Sequence, residues 1–223
     1  NVDIFNNKFL VGSFNTITLG LFTGLICALL AIVINFSIRF TKNKFLERLN
    51  SLMSIGYAIP GLILAVGITR FLVFSDQNVF TNINFVITGS LVGLFLAYII
   101  KSYALANSSI ESGYERISNS IDNSAQLLGS SGGKLLGRIH FPLMRTSFLT
   151  AVLLVTSEVV KELPATLILR PFNFDTLAVI TYTYAAEERM YQAAMPSLAI
   201  VIIGIIPIIF LTKMIRSSRI KDL

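Results

Sequence analysis

Four long stretches of the chain contain no charged residue and are mostly apolar. They are Phe9–Ile38, Leu49–Thr69, Gln77–Ile100 and Met190–Thr212. A helix needs roughly 20 apolar residues to cross the ~30 Å hydrocarbon core of a bilayer, so each stretch is long enough to span it. The pattern predicts membrane-spanning helices at residues 16–38, 52–74, 84–100 and 193–212.

Charge predicts one more span, which is the fourth in chain order. Its uncharged part, Thr146–Ser157, is short for a span. Positively charged loops stay in the cytoplasm. The basic stretches at residues 39–48, 101–145 and 213–221 can lie on the same side only if the chain also crosses at residues 145–164.

These spans define a single predicted domain from residue 13 to 213, with flanking segments at residues 1–12 and 214–223. The amino terminus of the segment is expected outside and the carboxyl terminus in the cytoplasm. Pro60-Gly61 should kink the second span. The apolar segment Thr176–Ala186 is too short to cross and reads as a re-entrant or interfacial segment on the outer side.

Composition narrows the class of protein. Charged residues make up 13% of the 223 residues, against about 25% in typical soluble domains. The net charge of +6 does not indicate nucleic-acid binding, because the basic residues lie beside the apolar spans. Cys27 and His140 are the single cysteine and histidine, which excludes an internal disulfide and a multi-histidine metal site. We expect an all-α integral membrane protein in contact with lipid.

The long polar segment before the fourth span contains an unusual loop. It reads Asn123-Ser-Ala-Gln-Leu-Leu-Gly129, then Ser130–Arg138, then Ile139-His-Phe-Pro142. Glycine commonly stops a helix, so the pattern predicts a short helix that ends at Gly129. Such a helix, held at the membrane face, suits docking of a soluble partner.

The sequence Gly132-Gly133-Lys134 within this loop is not a phosphate-binding motif. That motif would need glycine at position 128 and serine or threonine at position 135, where the chain has Leu128 and Leu135. We therefore expect no cofactor in this chain.

The loop resembles the EAA loop of bacterial binding-protein-dependent ABC importers. Ala125, Gly129, Ile139 and Phe141-Pro142 follow the family spacing. Two residues depart from it, because Asn123 and Ser124 stand where the family has Glu-Ala.

The resemblance implies a type I (MetI-like) transmembrane domain of about five helices, with a cytoplasmic coupling helix within residues 120–142. The coupling residues that it implies are Asn123, Ser124, Ala125, Gly129, Ile139 and Pro142. The implied partners are ABC ATPase subunits, which would bind ATP-Mg, an extracytoplasmic substrate-binding protein and a second permease half or copy. The implied location is the inner (cytoplasmic) membrane. The chain itself is not expected to be an enzyme.

Three charged residues lie in the fourth predicted span. Glu158, Lys161 and Glu162 have the spacing i, i+3 and i+4, so they would share one helix face. Charges inside a membrane are costly and usually pair or face a cavity. Either Lys161 neutralises one glutamate in an internal cluster, or the face lines a translocation path with a net acidic site. Both can hold. Tyr182 and Tyr184 are further candidates for the path, and no tightly bound metal is expected.

A second resemblance concerns the cargo. Lys161–Thr166 and Arg170–Ala178 are similar to the corresponding segments of ferric-iron ABC permeases. This implies ferric iron, a hard ion that prefers oxygen ligands. Such permeases commonly carry two homologous halves in one chain. This chain resembles the second half and begins with Asn1, so we expect further residues upstream.

Other functions stay open at this point. The same importer mechanism could carry thiamine, a polyamine or an oxyanion. From a different class, a carrier or channel driven by an ion gradient would account for the charges in the span, but not for the spacing of the loop.

Overall fold

The computed structural model describes residues 7–79 and 86–221, with the backbone alone for residues 211 and 214–221. The described residues form helices and no strand, which confirms the all-α prediction. In chain order these are α1 (Asn7–Thr41), α2 (Lys44–Ser54), a 3-10 turn (Ile55–Ala58), α3 (Gly61–Asn78), α4 (Leu91–Glu115), α5 (Asn119–Leu127), α6 (Gly132–Leu135), a π-helical turn (Leu136–His140), α7 (Phe141–Val160), α8 (Pro164–Leu169), α9 (Leu177–Ala186) and α10 (Met190–Lys221).

Within the described residues, four helical segments are long and apolar enough to cross a membrane. They are α1, α4, the continuous segment Gly132–Val160, and α10 as far as Phe210. The pair formed by α2 and α3 passes the same test but is bent by 116°. Counting this pair as one span gives five.

The bend between α2 and α3 is a full break and not the kink that the sequence predicts within residues 52–74. Ile59 is extended (φ −77°, ψ 127°), and α3 begins at Gly61. Proline disfavours the α conformation in the residue before it, so Pro60 forces Ile59 out of the helix.

The third span differs from its predicted bounds of 84–100. Residues 84 and 85 lie outside the described part of the chain, and α4 runs from Leu91 to Glu115. It continues past Lys101, which the sequence places at the start of a cytoplasmic loop. At this position the Lys101 ammonium pairs with the Glu162 carboxylate inside the domain.

The centre of the domain is the mutual packing of α1, α4 and α7. Gly20 and Gly24 have the small-xxx-small spacing that permits close helix contact, and both face α7. A Cβ at Gly24 would lie 2.7 Å from the Val152 carbonyl oxygen. Gly89 and Gly93 have the same spacing but differ from each other: Gly89 precedes α4 and has open space around it, whereas a Cβ at Gly93 would lie 2.7 Å from Leu72 Cδ1 of α3.

The segment after α7 contains a second break. Pro164 opens α8, and Lys161 to Leu163 connect it to α7. The predicted short segment at Thr176–Ala186 is α9, whose 10 residues pack on α10 and α1.

Candidate functional site

The α5 helix ends in a Schellman turn. Gly129 has φ +80°, its N–H donates to the Gln126 carbonyl at 2.9 Å, and the Ser130 N–H donates to the Ala125 carbonyl at 2.9 Å. These two bonds satisfy carbonyls that the end of a helix leaves free. The predicted helix stop at Gly129 is thus present, and its cause is the positive φ. No other atom lies within 4 Å of a Cβ built there.

Three of the predicted coupling residues lie within α5, and the other three follow it in the chain. Ala125 is buried, whereas Asn123 and Ser124 face outwards. Ile139 is half-buried in the π-helical turn, and Pro142 is exposed in the first turn of α7. The predicted coupling residues therefore differ in exposure, from the buried Ala125 to the exposed Pro142.

Two leucines at the end of α5 are among the most exposed apolar side chains of the domain. Leu127 is 89% exposed and Leu128 is 86% exposed. Apolar side chains that project in this way from a structured element are typical of a docking surface. Neither leucine is among the coupling residues predicted from the sequence.

A charge cluster attaches α5 to the rest of the domain. The Arg39 Nε donates to Asp122 Oδ2 at 2.7 Å, while Nη1 and Nη2 donate to the carbonyls of Tyr114 (3.0 Å) and Ile117 (2.7 Å). The His140 Nε2 lies 2.9 Å from Asp122 Oδ1, although the two atoms are not aligned as a hydrogen bond. From the sequence, Arg39 is part of a basic stretch beside a span and His140 is the single histidine, and Asp122 is not among the predicted site residues.

The three charged residues of the fourth span do not share one helix face. The α7 helix ends at Val160, so Glu162 lies in the break before α8. Lys161 pairs with Glu158 at 2.9 Å, and its side chain is largely exposed. Glu162 is buried and pairs instead with Lys101 of α4. Each of the two carboxylates thus has its own lysine.

The two breaks of the domain meet at Glu162. Its Oε1 accepts from the Ala165 N–H at 3.3 Å, and a Cβ at Gly61 would lie 2.7 Å from the same oxygen. Nearby, the buried Tyr98 hydroxyl lies 2.6 Å from the Thr166 hydroxyl, which donates to the Glu162 carbonyl. A charged pair therefore occupies the point where α3 and α8 both begin.

The predicted path residues Tyr182 and Tyr184 do not belong to the Lys101–Glu162 pair. Both are on α9, which packs on α10 and α1. The Tyr184 ring faces two cations, with Lys8 Nζ at 5.7 Å and the Arg189 guanidinium at 4.9 Å from its centre. Among the described residues, no group of three or more His, Cys, Asp or Glu side chains could hold a metal ion.

Comparison with known proteins was made by sequence and by structure. No family model matches the chain. Over 94% of its length it is 25% identical to the Fe(3+)-transport system permease protein FbpB 2 of Haemophilus influenzae, of which it covers 38%. It is also 25% identical, over 92% of its length, to the putative 2-aminoethylphosphonate transport system permease protein PhnV of Salmonella typhimurium, of which it covers 73%.

Solved structures give the same picture of the fold. One match is a bacterial alginate ABC transporter in complex with an alginate-bound periplasmic protein. The match covers 96% of this chain and 80% of the transporter chain, with a TM-score of 0.69 at 15% identity. The inward-facing MetNI methionine ABC transporter matches 92% of this chain and 95% of its own, with a TM-score of 0.67 at 13% identity. The chain therefore has the fold of ABC importer transmembrane domains and is similar in sequence to permease proteins. Its apolar helices and these relatives support a multi-pass inner-membrane protein, and it spans 38% of the length of the iron-transport relative.

Proposed function

We propose that the chain is the membrane-spanning subunit of an ATP-driven importer, and that α5 is its coupling helix. The observation that carries this proposal is the Schellman turn at Gly129 with Leu127 and Leu128 exposed beside it. The turn fixes the end of α5, so both leucines are presented on a rigid support. Docking into a groove of an ATPase subunit would bury them.

The other parts of the machine follow from this assignment. ATP-Mg is bound and hydrolysed by the partner ATPase subunits, and this chain has no catalytic role. A second permease half or copy completes the path through the membrane, and an extracytoplasmic binding protein delivers the cargo. The α5 end then faces the cytoplasm, which agrees with the basic stretches around Lys42 and Lys134.

Ferric iron is the first candidate cargo. The iron-transport relative matches 94% of the chain, and oxygen-bearing side chains at the two breaks suit transient contact with a hard cation. Contacts in a transport path must be weak enough for release, so no tight metal site is required.

A second candidate is a phosphonate with an amino group. The phosphonate-transport relative is equally similar, at 25% identity. The pairing at the breaks also favours it, because Lys101 and Lys161 neutralise Glu162 and Glu158. The net acidic site that would select a cation is absent from this cluster, and an ion pair presents both signs of charge to a zwitterion.

Reconstitution into vesicles tests both parts of the proposal. The complete importer, with its ATPase and binding protein, is supplied either with ferric iron or with 2-aminoethylphosphonate, and uptake and ATP hydrolysis are measured together. We expect ATP-dependent uptake of one of the two. The chain without the ATPase is the control, and ion-gradient-driven transport by that preparation would contradict the assignment.

A further inference from the structure

The α5 helix has little apolar packing of its own. Of its nine residues only Ala125 is buried. Short segments connect it to its neighbours, from Arg116 to Ser118 before it and from Leu128 to Ser131 after it. A force applied to α5 therefore reaches the domain through these segments or through polar contacts of α5 itself.

The strongest of those polar contacts is made by Asp122, in the first turn of α5. Its carboxylate is largely buried, as is the guanidinium of Arg39 to which it is bonded. A charge-assisted hydrogen bond of 2.7 Å between groups shielded from water is stronger than a neutral one. This contact is therefore a firm link where apolar packing is scarce.

Asp122 lies where α5 meets the ends of the three helices at the centre of the domain. Arg39, to which it is bonded, belongs to the last turn of α1 and also binds the Tyr114 carbonyl in the last turn of α4 and the Ile117 carbonyl just beyond it. His140, whose Nε2 lies 2.9 Å from Asp122, immediately precedes α7 and is buried against Phe36 and Tyr114. The carboxylate is thus bonded to α1, linked to α4 through Arg39, and in contact with the residue before α7.

We propose that Asp122 is a positioning residue of the coupling step, which makes α5 move as one body with α1, α4 and α7. This inference rests on the proposed function of α5. Without the Asp122 contacts, the ATPase would still bind the exposed end of α5. The displacement of α5 would then be taken up within its short connections instead of reaching α1, α4 and α7, and ATP would be hydrolysed without transport.

The test compares Asp122→Asn with Glu115→Gln in the complete importer. Both changes replace a carboxylate by an amide near the same end of the domain, but Glu115 is exposed and has no ion-pair partner among the described residues. We expect Asp122→Asn to lower the amount of ferric iron or 2-aminoethylphosphonate taken up per ATP at least about fivefold, the low end of typical coupling between sites. Glu115→Gln should leave that ratio unchanged.

The uptake ratio separates positioning from stability. If Asp122→Asn lowers uptake, hydrolysis and yield in parallel, the residue is merely structural and the inference is wrong. An unchanged ratio also overturns it, as does an equal effect of Glu115→Gln. If Asp122→Asn does not reach the membrane, Arg39→Lys replaces it. That variant keeps the charge but loses the planar fork, and a wild-type ratio in it would refute the proposal.

A second measurement does not depend on the cargo. Spin labels at Ser112 and Ser124, both exposed, report the distance between α4 and α5 in a Cys27→Ala background. We expect the same distance with and without nucleotide when Asp122 is present, and a shifted or broader distribution in Asp122→Asn. A nucleotide-dependent distance in the parent protein would overturn the inference. Failure of the proposed function would appear differently, as absence of ATP-dependent uptake by the unmodified importer.

Discussion

Lys101 and Glu162 form an ion pair between the middle of α4 and the break that separates α7 from α8. Both side chains are largely buried, with 18% and 7% of their surfaces exposed. Each charge stabilises the other in this buried position, because an unpaired charge inside a membrane protein is costly. The pair also lies against Gly61, so it joins the two breaks of the domain.

We predict that removing one partner of this pair destabilises the protein more than removing both. In Glu162→Gln, Lys101 is left buried without a counter-charge, which costs about 3–5 kcal/mol in comparable pairs. The double variant Lys101→Met with Glu162→Gln should recover most of this loss. Thermal unfolding of the detergent-purified complex measures the difference.

Uptake by the same variants distinguishes a role in the path from a role in stability. We expect the double variant to regain stability but not uptake, because a path at the breaks would have lost both of its charges. Normal uptake by the double variant would limit the pair to holding the fold. Lys161→Gln is a suitable control, since its side chain is 61% exposed and an exposed ion pair is worth about 0–1 kcal/mol.

A methyl group at Gly61 should disturb the same pair. In Gly61→Ala the new Cβ would lie 2.7 Å from Glu162 Oε1 and 3.3 Å from Lys101 Nζ, so the carboxylate must move. We predict reduced uptake and a lower unfolding temperature. Gly67→Ala is the matched control on the same helix, because no other atom lies within 4 Å of its Cβ. It should be neutral or stabilise α3 by up to about 1 kcal/mol. Equal effects of the two substitutions would contradict this view of Gly61.

The residues that the sequence could and could not predict differ in the range of their interactions. The helix stop at Gly129 and the pairing of Lys161 with Glu158 depend on neighbours within a few residues, so spacing alone predicts them. Lys101 and Glu162 are separated by 61 residues, and nothing local reveals that they meet. For this reason Lys101 looked like the end of a span, when it is in fact a charge within α4.

The sequence predicts a kink at Pro60 and an uninterrupted span at residues 145–164, whereas the structure has a helix break in each, for a related reason. Pro60 and Pro164 each disfavour a continuous helix, but a proline inside a long apolar pattern is compatible with a kink or with a break. The outcome depends on which groups bond to the backbone N–H and C=O groups that the interruption leaves free. Here the Glu162 carboxylate caps the first turn of α8, because it accepts a hydrogen bond from the Ala165 N–H.

Close packing of α1 on α7 should make Gly24 sensitive to substitution. In Gly24→Ala the Cβ would meet the Val152 carbonyl oxygen at 2.7 Å and the Thr156 hydroxyl at 3.2 Å. Backbone on the facing helix must shift, and such overpacking typically costs about 1–3 kcal/mol. Gly204→Ala in α10 has open space and serves as the control. Unfolding temperature and the yield of folded protein are the measurements, and a stable Gly24→Ala variant would show that α1 and α7 can separate freely.

The turn at Gly129 allows two explanations of its glycine to be separated. If the docked ATPase requires a small residue there, Gly129→Ala should be tolerated better than Gly129→Asn. If the positive φ of +80° is what matters, the order reverses. An L-residue in this region costs roughly 1–2 kcal/mol, and asparagine adopts it more readily than alanine.

We predict that Gly129→Asn keeps more ATPase binding and uptake than Gly129→Ala, because open space surrounds the position in the domain itself. Gly129→Arg combines backbone strain with bulk beside the exposed leucines, so it should uncouple hydrolysis from transport most strongly. Gly137→Ala is the control, since Gly137 has open space and no positive φ. Co-purification of the ATPase and uptake per ATP measure the order. Full activity of Gly129→Arg would mean that the ATPase does not dock at this turn and that α5 is not the coupling helix.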